Sequence, residues 1–361
     1  MMEEQVEGTG GRALRVVAIG GGTGLSTLLR GLKQYVARPA GTGADEDGGL
    51  PCVDAPCLIR DLAAVVTVTD DGGSSGRLRE DFKMLPPGDV RNCLVALSED
   101  DHLLSRLFRY RFEHGELDGH SFGNLFMAAL SDITGDFAQA VQMSSQILAT
   151  RGRIYPATNT NVTLAAEMDD GSVVHGETNI TASRRRVVSL RLEPELAEPL
   201  PETLEAIAQA DLITLGPGSL YTSLITNLLV RGIREALLQS KATKVFVCNL
   251  MTQANESLGL TASQHLEKIM AHAGAERLFD YALINTAPIS AKRLEQYARE
   301  GQSPIEADLE RVRALGVAPV TANFVHEGEV LRHDYERVAE KLLEIGFRER
   351  RRAPRMAVVE V

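Results

Sequence analysis

Short apolar runs alternate along the chain with longer amphipathic ones. Residues 16–19, Val-Val-Ala-Ile, form a continuous apolar run of the kind found in a strand buried on both faces. Gly20, Gly21 and Gly22 end it, and Thr23-Gly24-Leu25-Ser26 opens a segment with apolar residues at Leu25, Leu28, Leu29 and Leu32. That spacing predicts a helix. The same order recurs. Residues 62–68 read as a buried strand and lead into Thr69-Asp70-Asp71-Gly72-Gly73-Ser74-Ser75-Gly76. Residues 211–215 read as a strand closed by Gly216-Pro217-Gly218-Ser219, with a helix from Leu220. Strands are also expected at 245–249, 282–285 and 320–324, and helices at 94–97, 103–108, 122–130, 137–148, 203–210, 261–273, 290–300 and 335–345. Over 152–193 the pattern shortens about Asp169-Asp170-Gly171, a hairpin signal, and predicts a small antiparallel excursion.

Strands alternating with helices predict an α/β fold with a mostly parallel sheet covered on both faces. Ligands of such sheets bind at the carboxyl ends of the strands, near a switch in strand order. The polar loops all follow strands, so they should meet in one crevice. A single domain is expected over 14–347. Residues 1–13 read as a flexible tail, and 37–57, rich in Gly, Ala, Pro and Asp, as an exposed insertion. Residues 348–361 open with five arginines between Arg348 and Arg355 and read as a basic tail.

Composition narrows the function classes. The formal charge is −11, tryptophan is absent and aromatic residues make up 5%, which argues against a nucleic-acid binder. No apolar run approaches the ~20 residues that span a bilayer. The acidic, glycine-rich start is unlike a signal peptide, and the cytoplasm is the expected compartment. Four cysteines in 361 residues make no disulfide framework. Cys52 and Cys57 lie five apart, but no second pair of zinc ligands accompanies them.

Candidate chemistry sits in the loops. Gly21, Gly22, Thr23 and Gly24 end a strand and start a helix, an arrangement whose free N–H groups can hold a phosphate. The match to G-x-G-x-x-G is imperfect, because the third glycine position is Leu25 or Thr27, and there is no P-loop motif. Gly216, Gly218 and Ser219 form a second cradle of the same kind. Two cradles point to a diphosphate. Ser74 and Ser75 offer further donors, and Asn124 lies in the helix-opening stretch His120-Ser121-Phe122-Gly123-Asn124. Asp70 and Asp71 close a strand, where carboxylates beside phosphate loops suit Mg²⁺; in turns such pairs are also common. Asp89, in Pro86-Pro87-Gly88-Asp89, is a further carboxylate or a helix cap. No Ser-His-Asp elbow or H-E-x-x-H spacing occurs.

Together GGGTGLSTLLRGL, TVTDDGGSSGRLRED, LPPGDVRNCLVAL, HSFGNLF, LGPGSLYTS and LRHD resemble the YvcK/CofD-like family, and most closely its YvcK branch, the bacterial gluconeogenesis factors. The resemblance runs from Arg15 to Ile345. It implies a Rossmann-like, doubly wound fold and a crevice for a nucleotide diphosphate compound. It implies a regulatory UDP-sugar-binding protein, required for cell shape and wall synthesis on gluconeogenic carbon sources. The ligand would be UDP-N-acetylglucosamine or UDP-glucose. The partner would be a protein of cell-wall or carbon metabolism, and a homo-oligomer is compatible with it. The alternative is a CofD-like, Mg²⁺-dependent transferase of phospholactyl or other phosphoryl groups. By the same resemblance Asp71 and Asp89 match metal-proximal positions, and Tyr297 and Arg332 match positions tied to the UDP-sugar. Tyr297 would pack on the uracil and Arg332 would pair with phosphate. DDGGSSG and GDVRN depart from the transferase branch.

Replacing 37–57 by a short Gly-Ser linker should leave the melting temperature nearly unchanged, as thermal denaturation would show.

Overall fold

The computed structural model describes residues 13–36, 57–98, 103–183, 185–254 and 256–352. The residues expected to form a tail up to residue 12, those of the expected insertion up to residue 56 and the chain beyond residue 352 lie outside the described residues.

Seven strands form one sheet: β1 (Leu14–Gly20), β2 (Ile59–Val66), β3 (Arg153–Pro156), β7 (Leu212–Leu215), β8 (Thr243–Val247), β9 (Tyr281–Asn285) and β10 (Ala318–Ala322). Their spatial order is β10-β9-β8-β7-β1-β2-β3, and every neighbouring pair is parallel. Helices flank this sheet, so its central strands have no wet face. In β1 every residue but one is buried, which accounts for the unbroken apolar run. From β1 the chain builds outward through β2 and β3, then returns to the other side of β1 with β7. The strand order therefore switches between β1 and β7, and a crevice opens between their carboxyl ends.

The antiparallel excursion is smaller than the sequence implies. Residues 153–156 pair in parallel with β2 and complete the main sheet. The excursion is β4 (Thr163–Met168), β5 (Val173–His175) and β6 (Val187–Glu193), in the order β5-β4-β6. Gly171 takes a positive φ of 81° at the expected turn. A further hairpin, β11 (Val325–Glu327) and β12 (Leu331–His333), stands at the C-terminal end of the sheet.

The helices that matter most for the crevice are α1 (Gly22–Lys33), α2 (Gly73–Phe82), α3 (Gly88–Leu97), α4 (Leu103–Arg109) and α5 (Phe122–Thr134). The last helix, Tyr335–Arg352, is longer than its apolar period indicates, and this corrects the reading of a basic tail from residue 348. Arg348 lies over the Tyr281 ring, 5.1 Å from its centroid. Arg350 donates to Ala13 O (3.2 Å) and stands 3.9 Å from Asp211, which also pairs with Arg15 at 3.3 Å. These arginines dock the helix on the N-terminal ends of the strands.

α1 lies against the last helix with backbone in contact at Gly31. A Cβ there would stand 2.8 Å from the carbonyl carbon of Tyr335 and closer still to its oxygen. Neither backbone can move without parting the helices. Gly31→Ala should therefore cost about 1–3 kcal/mol, read as a lower urea midpoint with an unchanged slope.

Candidate functional site

The first turn of α1 faces the crevice. Its N-cap, Gly21, has no side chain to accept from the orphan N–H groups, and no acidic residue stands in the first turn. Apart from Gly22 N–H, which donates to the Asp89 carboxylate, those donors are therefore free for an external acceptor. The glycines are required by crowding. A Cβ on Gly24 would stand 2.7 Å from the carbonyl carbon of Pro217, 3.1 Å from Gly218 N and nearer still to Pro217 O. A Cβ on Gly21 would collide with Thr67 and stand 2.9 Å from Asp89 Oδ2. The two glycine loops thus touch through their backbones. Gly216 makes the turn out of β7 with φ 86°, ahead of a cis bond to Pro217.

The second cradle differs from expectation. Leu220–Ile225 is a π-helical turn rather than an α-helix start. Its end is already occupied: the Glu256 carboxylate accepts from Tyr221 N (3.4 Å) and from the Thr222 hydroxyl (2.9 Å). Burial raises the Glu256 pKa, against the pull of these donors. This terminus has no dipole end to spare for a ligand. The Gly218-Ser219 loop reaches the crevice by another means. Asn249, at the end of β8, accepts from Gly218 N (3.0 Å) and donates to Gly218 O (2.7 Å). Gln253 donates to Ser219 Oγ (3.0 Å).

A cavity of about 360 Å³ lies between these loops and the β11–β12 hairpin. It brings together Gly21, Gly22, Thr23, Gly24, Gly218, Ser219, Tyr297 and Arg332 from distant parts of the chain. Tyr297 accepts from Leu331 N at 3.1 Å and so holds the hairpin that carries Arg332. The Arg332 side chain is exposed and has no hydrogen-bond partner among the described residues. His333 donates from Nε2 to Cys248 O (3.0 Å); burial pushes its pKa down to about 4 and keeps the ring neutral. Asn249, Gln253 and His333 also line the cavity and were not singled out from the sequence. The polar end of β8 and the LRHD stretch were the available signals.

Ser74, Ser75 and Asn124 are buried and lie outside this cavity. Asp89 links the two regions. Its carboxylate accepts from Gly22 N–H, while burial and the nearby Asp70 charge push its pKa up to about 7. Asp71 is engaged elsewhere: its Oδ1 accepts from Thr178 N (2.8 Å) and Thr178 Oγ1 (2.6 Å). The carboxylate beside Asp89 is thus that of Asp70, not Asp71. Glu177, half-buried, is pushed well above the carboxylate range by desolvation and by Asp89 and Asp70. Among the described residues no group of three or more His, Cys, Asp or Glu side chains is arranged to hold a metal ion. Two crowded carboxylates beside an anion cradle do fit Mg²⁺, which takes one or two carboxylates and completes its shell with water and phosphate oxygens.

No helix among the described residues is long and apolar enough to cross a membrane. The family profile described as 2-phospho-L-lactate transferase CofD matches residues 16–325. The gluconeogenesis factor of Halalkalibacterium halodurans is 46% identical over 331 residues, covering 91% of this chain and 95% of that protein. The gluconeogenesis factor of Bacillus subtilis is 43% identical over 337 residues, covering 93% and 99%. A crystal structure of a UPF0052 family member from Bacillus halodurans superposes with a TM-score of 0.84 at 46% identity, covering 92% of this chain and 99% of that one.

The Asp89 pKa has a consequence for folding. Asp89 ionises near pH 7 in the folded protein and near pH 4 when unfolded. Between those values the folded state holds the extra proton, so this contribution to stability falls as pH rises from 4 to 7. Asp89→Asn should flatten that decline and melt above the parent at pH 8, in thermal melts recorded in chelator.

Proposed function

This chain belongs to the CofD family, within its gluconeogenesis-factor branch, and on that premise we propose that it is a regulatory protein that binds a UDP-sugar and releases it intact. The observation that carries this reading is the convergence of α1's uncapped first turn, the Gly218-Ser219 loop and the unpaired Arg332 on one cavity. The α1 terminus supplies N–H donors and roughly half a positive charge. Arg332 supplies an exposed guanidinium to the same cavity. A diphosphate spans such a pair where a monophosphate meets only one side. Tyr297 would offer its ring to the uracil while its hydroxyl keeps the hairpin in place. UDP-N-acetylglucosamine and UDP-glucose are the ligands the cavity would serve, in the cytoplasm. Occupancy would report precursor supply to a partner protein of wall or carbon metabolism, and so bear on cell shape.

Mg²⁺ would be held by Asp70 and Asp89 together with ligand phosphate oxygens. It would neutralise the charge that two carboxylates otherwise set against the diphosphate. A transferase of phosphorus-containing groups is the second reading, favoured by the family description and by this carboxylate pair.

Titration calorimetry with Mg²⁺ should find UDP binding tighter than UMP. Arg332→Ala should weaken UDP about tenfold, the loss of one charge-assisted contact of ~1.5–3 kcal/mol. Gly24→Ala should abolish binding by forcing the two loops apart. Equal affinity for UMP and UDP would refute the two-sided cradle. A new product from UDP-N-acetylglucosamine and Mg²⁺ would replace regulation by catalysis.

A further inference from the structure

The hairpin that brings Arg332 to the cavity is not part of the main sheet. Its strands β11 and β12 have 3 residues each and pair only with one another. A two-stranded ribbon of this size does not hold a position by itself. Its root is tied to the chain around it. Asp334 N donates to Phe324 O at 2.8 Å, Phe324 N donates to Asn285 Oδ1 at 3.0 Å, and His333 reaches Cys248 O. Arg332 is the middle residue of β12, between that root and the tip, so its place depends on both ends.

The tip is gripped by one helix, Ala291–Ala298, and by its N-cap, Ser290. Ser290 N donates to Glu327 Oε1 at 2.8 Å, and Tyr297 Oη accepts from Leu331 N at 3.1 Å. Arg293 stands between these two ties. Its Nη1 donates to Glu329 O at 2.8 Å and to Gln296 Oε1 at 2.7 Å, while its Nη2 donates to Gly328 O. One guanidinium thus spans two successive carbonyls of the turn, and Gln296 sets its plane. The planar fork of arginine makes this possible; a lysine ammonium is a single centre. Glu327 is held below the usual carboxylate range by hydrogen bonds from Ser290 and by the Arg293 charge. Little apolar packing backs the grip. Leu294 and Tyr297 pack on the core, but no residue of this helix is buried. Arg293 does not line the cavity, so its effect on a ligand passes through the hairpin.

We propose that Arg293 is a positioning residue of the diphosphate cavity: by clamping the Gly328–Glu329 turn it fixes where Arg332 meets the ligand. The inference rests on the diphosphate reading given above. Without the clamp the tip is tied only through Ser290 and Tyr297, and Arg332 is spread over more positions. Binding must then order the hairpin first, which lowers affinity.

The test pairs amide hydrogen exchange on the ligand-free full chain with titration calorimetry of UDP in Mg²⁺. In Arg293→Ala the Leu331 amide should exchange about tenfold faster than in the parent, with exchange in β1 and the melting temperature unchanged. The same variant should bind UDP about fivefold more weakly. Arg293→Lys keeps the charge but not the fork, and should bind as weakly as Arg293→Ala. In an Arg332→Ala background, Arg293→Ala should cause no further loss, because it acts through Arg332. Leu331 exchange equal to that of the parent would overturn the proposal. So would full UDP affinity in Arg293→Ala or in Arg293→Lys, or additive losses in the double variant. A parent that binds no UDP refutes the diphosphate reading instead; Leu331 exchange, measured without ligand, then still upholds or overturns the clamp.

Discussion

The crevice depends on two stretches of bare backbone that meet at Gly24 and Pro217. Strand β1 and strand β7 lie side by side at the point where the sheet reverses its order of growth, and each ends in a glycine turn. The turns touch because Gly24 has no Cβ to hold Pro217 away. Other contacts then follow. Asn249 locks Gly218 by both ends of its amide. Asn227, on the helix that follows, donates to Gly20 O at 3.1 Å and ties it back to the end of β1. With these loops fused into one floor, the hairpin carrying Arg332 closes a cavity rather than facing open sheet.

Electrostatics divides that floor into zones of alternating sign. The α1 terminus and Arg332 are positive. Asp70 and Asp89 are negative, and the second carboxyl is held near neutrality by the first and by burial. Glu256 explains why the second loop is not a copy of the first: a carboxylate from the chain already serves the donors of the π-helical turn. An α-helix N-terminus left uncapped and one satisfied internally have similar local sequences and opposite capacity for a ligand.

Much of the architecture was legible in the chain itself. Continuous apolar runs signal strands buried on both faces, and the alternation with amphipathic segments fixes the parallel sheet and places the loops at one end. Glycine clusters after β1, β2 and β7 mark where backbone must come close. Such features are local: they follow from side-chain size, polarity and period along a few residues. Residues 153–156 were misplaced because four residues do not reveal which sheet they pair with. The final helix was cut short because charged residues hide its period, although Arg348 and Arg350 have partners on distant strands.

What only the tertiary structure decided are the pairings across the chain. The sequence sets aspartates at 70, 71 and 89, but the path of the loop turns Asp71 toward Thr178 and Asp70 toward Asp89. It sets Ser74 and Asn124 beside glycine turns, as it does Gly22 and Ser219, yet packing of α2 against α5 carries the first pair away from the cavity. Asn249, Gln253 and His333 enter the site through strand ends and a hairpin far along the chain. By itself the sequence determined which segments could approach an anion, since that is a property of local backbone. Which side chains share a charge, a proton or a cavity is a property of distance, and distance is set only when the sheet has closed.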